Sequence, residues 1–117
     1  MRIVLDENLP RPLKRAFTPV HVVTTVQELG FAGLTNGLLL AQLEGKHDVF
    51  VTADKNLRYQ QNLTGRTIAI VELSTNRLSL LLTMIDQLVK TVESATARAY
   101  IQVSVETGNP VDEPDTG

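Results

Sequence analysis

MRIVLDENLP, residues 1–10, joins a short apolar run, Ile3-Val4-Leu5, to an abrupt polar stop at Asp6-Glu7-Asn8. Three consecutive apolar residues with no polar alternation fit a strand buried on both faces, and Leu9-Pro10 fits the opening of a helix. Val49-Phe50-Val51-Thr52 repeats the pattern and leads into Asp54. In an open parallel sheet the carboxyl ends of neighbouring strands line one crevice, so Asp6 and Asp54 are expected to converge although 48 positions separate them.

Beyond Asn8, residues Leu9, Leu13, Ala16 and Phe17 recur at helical spacing and predict a helix with one apolar face. Asn8 is the expected cap, Pro10 is tolerated in the first turn, and Pro12 delays the regular start. Arg11, Lys14 and Arg15 take the opposite face, a solvated surface before it is a phosphate-contacting stripe. Pro19 ends the helix. Val20 to Thr24 is β-branched and reads as a second strand. Val26 to Gly30 is a helical turn or a loop, and Thr35-Asn36 cap a helix that runs through Leu43 and stops near Gly45.

Asp48 to Thr52 supplies a third strand, Leu57 to Leu63 a short helix, and Thr67 to Val71 a fourth strand without polar alternation. Leu78, Leu81, Leu82, Ile85, Leu88, Val89 and Val92 predict one long amphipathic helix, part of whose face is either core or a partner interface. Tyr100 to Val105 alternates like an edge strand. Strands alternating with helices predict an α/β fold, a three-layer αβα sandwich with a mostly parallel sheet and right-handed crossovers.

A chain of 117 residues with 43% hydrophobic content suits one compact domain, read as residues 1–107. Residues 108–117 are rich in Gly, Pro and acid and are expected to be a disordered tail. Asp112, Glu113 and Asp115 lie in that tail; without it 11 basic side chains face 10 acidic ones, which excludes the strongly basic profile of a dedicated nucleic-acid binder. No apolar run is long enough to span a bilayer or serve as a signal, so the expectation is a soluble, cytoplasmic protein without membrane contact. Cysteine is absent, so any metal is held through oxygen or histidine.

Two strand-end aspartates can bind Mg²⁺ or Mn²⁺, ions that prefer carboxylate oxygens, activate water and steady the charge that develops when a phosphodiester is cut. The plainer reading of either residue is a helix cap or loop acid. Thr52 is placed to hydrogen-bond Asp54 or the backbone, and Glu7 is expected to face solvent. Lys55 and Arg58, beside Asp54, are candidates for phosphate contact. Glu28 either holds the second connection near the site or occupies an exposed turn. His21 and His47 have no partner at ligand spacing and read as surface or loop residues. A response-regulator-like phosphoacceptor site is disfavoured, because it needs a lysine at a later strand end and Val71-Glu72-Leu73 has none.

The blocks MRIVLDENLPRPL, VQELGFAGLTN and VFVTADKNL, in that order over residues 1 to 75, resemble the short PIN-like domain proteins related to toxin–antitoxin ribonucleases. The resemblance implies a metal-dependent endoribonuclease, with Asp6 and Asp54 as catalytic metal ligands, RNA as substrate, a small antitoxin protein as partner and a possible homodimer. Two positions depart from the family pattern: Asn36 and Asn56 stand where relatives place acids. An amide oxygen can still coordinate Mg²⁺ but adds no charge, so each replacement weakens the site or turns the residue into a cap. The rival reading is a non-catalytic PIN-like module that binds a protein or RNA.

Overall fold

The computed structural model describes residues 1–57 and 65–104. Five strands, β1 (Arg2–Leu5), β2 (Val22–Thr25), β3 (Val49–Thr52), β4 (Ala69–Leu73) and β5 (Tyr100–Val103), form one sheet in the order β2-β1-β3-β4-β5. Every pairing is parallel. The helices are α1 (Asn36–Leu43), α2 (Leu78–Leu82) and α3 (Ile85–Ser94), with a 3-10 helix over Arg11–Ala16. No helix among the described residues is long and apolar enough to cross a membrane.

The sheet divides two apolar layers. On one face Ile3, Leu5, Val51 and Val71 meet Leu13 and Phe17 of the first connection and Leu81, Leu88 and Val92 of α2 and α3. On the other face Val4, Phe50 and Ile70 meet Leu39 and Leu43 of α1 and Leu57. Central strands covered on both faces must be apolar throughout, which is why β1, β3 and β4 carry unbroken runs. β2 is an edge, and its Val22 remains 63% exposed. The structure is thus the expected three-layer αβα sandwich with a parallel sheet.

Several local expectations are corrected. The first connection is a 3-10 helix, and its cap position is Pro10 with no side-chain hydrogen bond, so Asn8 is not the cap. Pro10 and Pro12 remove two amide donors from the opening turn, and what holds the segment is the burial of Leu13 and Phe17, worth about 1.5–3 kcal/mol each. β4 lies two residues later than expected. The apolar stretch from Leu78 to Val92 is two helices with a break at Thr83-Met84. The Thr83 hydroxyl donates to the Leu80 carbonyl at 2.6 Å, the competition with the backbone that shortens helices, and Met84 leaves helical geometry at φ −130°. Leu81, Leu88 and Val92 belong to the core and offer no partner surface, whereas Leu82 is 53% exposed. The helix expected over Leu57 to Leu63 and the tail expected over 108–117 lie outside the described residues, apart from Leu57.

The last crossover has the opposite hand to the first two. From β1 to β2 the chain moves outward across the first face; from β2 to β3 it moves the opposite way across the second, so these two connections share one hand. From β4 to β5 it continues in that second direction, yet α2 and α3 pack on the first face, which reverses the hand. α3 reaches back to the first connection, where Glu93 meets His21 at 2.7 Å between Oε2 and Nε2. His21 therefore has a specific partner instead of being a free surface histidine.

Candidate active site

Strand order reverses at β1, and in doubly wound sheets the crevice for a ligand opens beyond the carboxyl ends at such a switch point. Between β1 and β3 that crevice holds Asp6 and Thr52. The Asp6 amide extends the ladder by donating to the Val51 carbonyl at 2.9 Å, which fixes the residue at the strand end. Its side chain is 8% exposed and Thr52 is fully buried.

A continuous set of hydrogen bonds joins the expected site residues. The Thr52 hydroxyl donates to Asp6 Oδ2 at 2.6 Å and accepts the Asp54 amide at 3.0 Å. Asp6 Oδ1 accepts the Glu7 amide at 2.7 Å. Asp54 Oδ1 accepts the Asn56 amide at 3.0 Å, and Asp54 Oδ2 accepts the side-chain amide of Asn36 at 3.0 Å. Asn36 reaches Asp54 because it opens α1, where Thr35 performs the capping by accepting the Leu38 amide at 3.4 Å. Capping as the sole role of Asn36 is therefore overturned. Asn8 braces the same end of the sheet: its Oδ1 accepts the Ala53 amide at 3.4 Å, and its carbonyl accepts the Asn76 side chain at 3.2 Å.

Burial pushes the Asp6 carboxyl above the usual carboxylate range; the bonds from Thr52 and the Glu7 amide pull it back, and the charges of Glu7 and Asp54 push it up again. Two carboxylates close enough to repel in a partly desolvated crevice create a demand for positive charge. Among the described residues no three acidic or histidine side chains form a group able to hold a metal ion. The donor set of Asp6 and Asp54, all hard oxygen, fits an ion such as Mg²⁺ that uses one or two carboxylates and keeps several waters, and does not fit a closed all-protein cage.

The remaining candidates separate. Glu7 is exposed and accepts the Gly33 amide at 3.3 Å, so it fastens the loop before α1. Glu28 is engaged at the end of β2, where it accepts the Thr25 amide at 2.9 Å, returns its own amide to the Thr25 hydroxyl at 3.1 Å and pairs with Lys14 at 2.9 Å. This reciprocal cap, together with Lys14, pulls the Glu28 carboxyl below its usual range. Lys55 is exposed beside Asp54, and Arg58 lies outside the described residues.

Sequence reasoning missed Glu72. It sits in β4 opposite Thr52 in register, is 5% exposed, and accepts the Tyr100 hydroxyl at 2.6 Å and the Gln102 side chain at 3.0 Å. With Lys55, Ser74 and Ser104 it lines a cleft of about 220 Å³ at the carboxyl end of the sheet. The available signal was a lone acid inside the apolar run Ala69-Ile70-Val71-Glu72-Leu73, since a charge in a strand covered on both faces needs partners. Compared with protein-family models, curated proteins and solved structures, the chain has no significant match.

Proposed function

We propose that the crevice is the centre of a PIN-like, Mg²⁺- or Mn²⁺-dependent endoribonuclease, with Asp6 and Asp54 as the ligands that would hold the ion. The supporting observation is the bonded set that Thr52 makes between the two aspartates at the switch point, with the Asp6 carboxylate buried and oriented there. A bound ion supplies water activation and stabilises the anionic transition state. The residues of the chain do the rest. Thr52 fixes the orientation of Asp6, Asn36 and the Asn56 amide fix Asp54, and Lys55, exposed beside Asp54, would contact an RNA phosphate. The resemblance of residues 1 to 75 to toxin-type PIN-like proteins supports a small antitoxin protein as regulator.

A second reading, a PIN-like module that binds RNA or protein without cutting, is favoured by one contact. The Asn36 amide donates to Asp54 Oδ2, satisfying internally an oxygen that a metal would otherwise take. Cleavage of single-stranded RNA in Mn²⁺ by the wild type and Asp6→Asn, with calorimetric titration of Mn²⁺ into both, separates the readings. Metal binding and cleavage that both vanish in the variant support the nuclease. Equal activity in the two proteins sinks it, and no heat at millimolar Mn²⁺ supports the module.

A further inference from the structure

At the opposite end of the sheet, beneath the amino-terminal ends of β1 and β3, lies a pocket of about 710 Å³. Arg2, Lys46 and His47 line it, together with Met1, Gly45, Asp48 and Thr67, and Ala95 and Ala97 form its far wall. Arg2 and Lys46 are held together, since Arg2 Nη1 donates to the Lys46 carbonyl at 3.3 Å. Asp48 is the one acid of the lining, and its Oδ2 already accepts the Arg2 backbone amide at 2.7 Å. Gly45 turns the chain from α1 into this wall at φ +77°, a left-handed conformation that glycine adopts without strain. The far wall runs into Arg98, which holds φ +70° while its amide donates to the Thr67 carbonyl at 2.9 Å. A non-glycine residue in that region is held there by its surroundings, so the wall is a defined surface.

We infer that this pocket binds a phosphate monoester group, either as free phosphate or as the 5′-phosphate of a mononucleotide. Guanidinium and ammonium groups on residues that line a concavity can supply charge-assisted donors to phosphate oxygens, and the volume is ample for a nucleotide. His47 adds a third donor once charged. In the free protein, burial and the neighbouring charges of Arg2 and Lys46 hold the His47 imidazole below its ordinary pKa, against the opposing pull of Asp48. Met1 also lines the pocket, with its amino terminus 3.3 Å from His21 Nδ1, whereas Thr67, Ala95 and Ala97 bring no charge. An arriving dianion offsets both cations and so favours the charged imidazole, which the His47 ring resonances report.

The test is a titration of the full chain with inorganic phosphate, adenosine 5′-monophosphate and adenosine at pH 8, followed through the His47 ring resonances and by calorimetry. His47→Gln assigns the reporter. Saturable shifts with the first two ligands and none with adenosine are expected, weakened roughly tenfold in Arg2→Gln/Lys46→Gln, which removes two charge-assisted contacts. Tighter binding of the nucleotide than of phosphate identifies the ester as the ligand, and equal affinities identify phosphate itself. Both variants alter exposed or partly exposed side chains, and far-UV circular dichroism confirms their folding. Unmoved His47 resonances at ~10 mM phosphate, beyond weak millimolar binding, or equal affinity in the double variant, overturn the proposal. Neither outcome bears on RNA cleavage at Asp6.

Discussion

The hydroxyl of Thr52 lies 2.6 Å from Asp6 Oδ2, joining two buried side chains that are 46 positions apart in the chain. The same oxygen accepts the Asp54 amide, so one hydroxyl sets the relation between both aspartates of the crevice. A residue at this place acts on the site through orientation, and its removal is expected to reach stability and function together.

Thr52→Val keeps the shape of the side chain and deletes the hydroxyl. Asp6 then loses a hydrogen bond that lowers its pKa, and the Asp54 amide loses its acceptor. A loss of about 1–3 kcal/mol in urea unfolding is expected. Thr52→Ser restores most of it, and an unchanged midpoint in Thr52→Val would show that the bond carries no stability.

Because burial raises the Asp6 carboxyl in the folded state, the native protein holds that proton more tightly than the unfolded chain does. This group therefore costs nothing below the unfolded pKa, and its full penalty is present above the raised folded value. Asp6→Asn should raise the thermal midpoint at pH 7, with the gain shrinking as pH falls through the folded pKa towards the ordinary carboxylate range. Melting curves from pH 3 to pH 8 check it, and a gain that persists at the lowest pH contradicts the assignment.

Asn36→Asp replaces a donor that steadies Asp54 with a third negative charge beside it. Without metal the variant is expected to lose about 1 kcal/mol, since a hydrogen bond becomes a repulsion. With millimolar Mn²⁺ the order reverses, and affinity measured by calorimetry rises about tenfold as ligand charge increases. A variant that is as stable as the wild type and binds Mn²⁺ no better would place position 36 outside the crevice.

The break at Thr83-Met84 divides residues that share a periodic pattern. Leu88→Ala should cost about 2–5 kcal/mol, because the side chain is fully buried against the sheet. Leu82→Ala should stay within about 0.5 kcal/mol, because that leucine is 53% exposed. Comparable costs for the two in chemical denaturation would restore a single continuous helix.

Ile3-Val4-Leu5, Val49-Phe50-Val51 and the apolar run before Glu72 determined the sheet from sequence alone, since a strand covered on both faces leaves no polar alternation to misread. Strand-end placement of Asp6 and Asp54 followed from the same local rule. What tertiary structure decided was every feature that rests on a partner distant in the chain. Asn36 belongs to the Asp54 carboxylate because α1 begins beside β3, His21 pairs with Glu93 because α3 crosses back over the sheet, and Glu72 tolerates burial because Tyr100 and Gln102 arrive on β5. The reversed last crossover has the same origin: periodicity says that a helix has an apolar face, and only long-range packing chooses the side of the sheet that receives it.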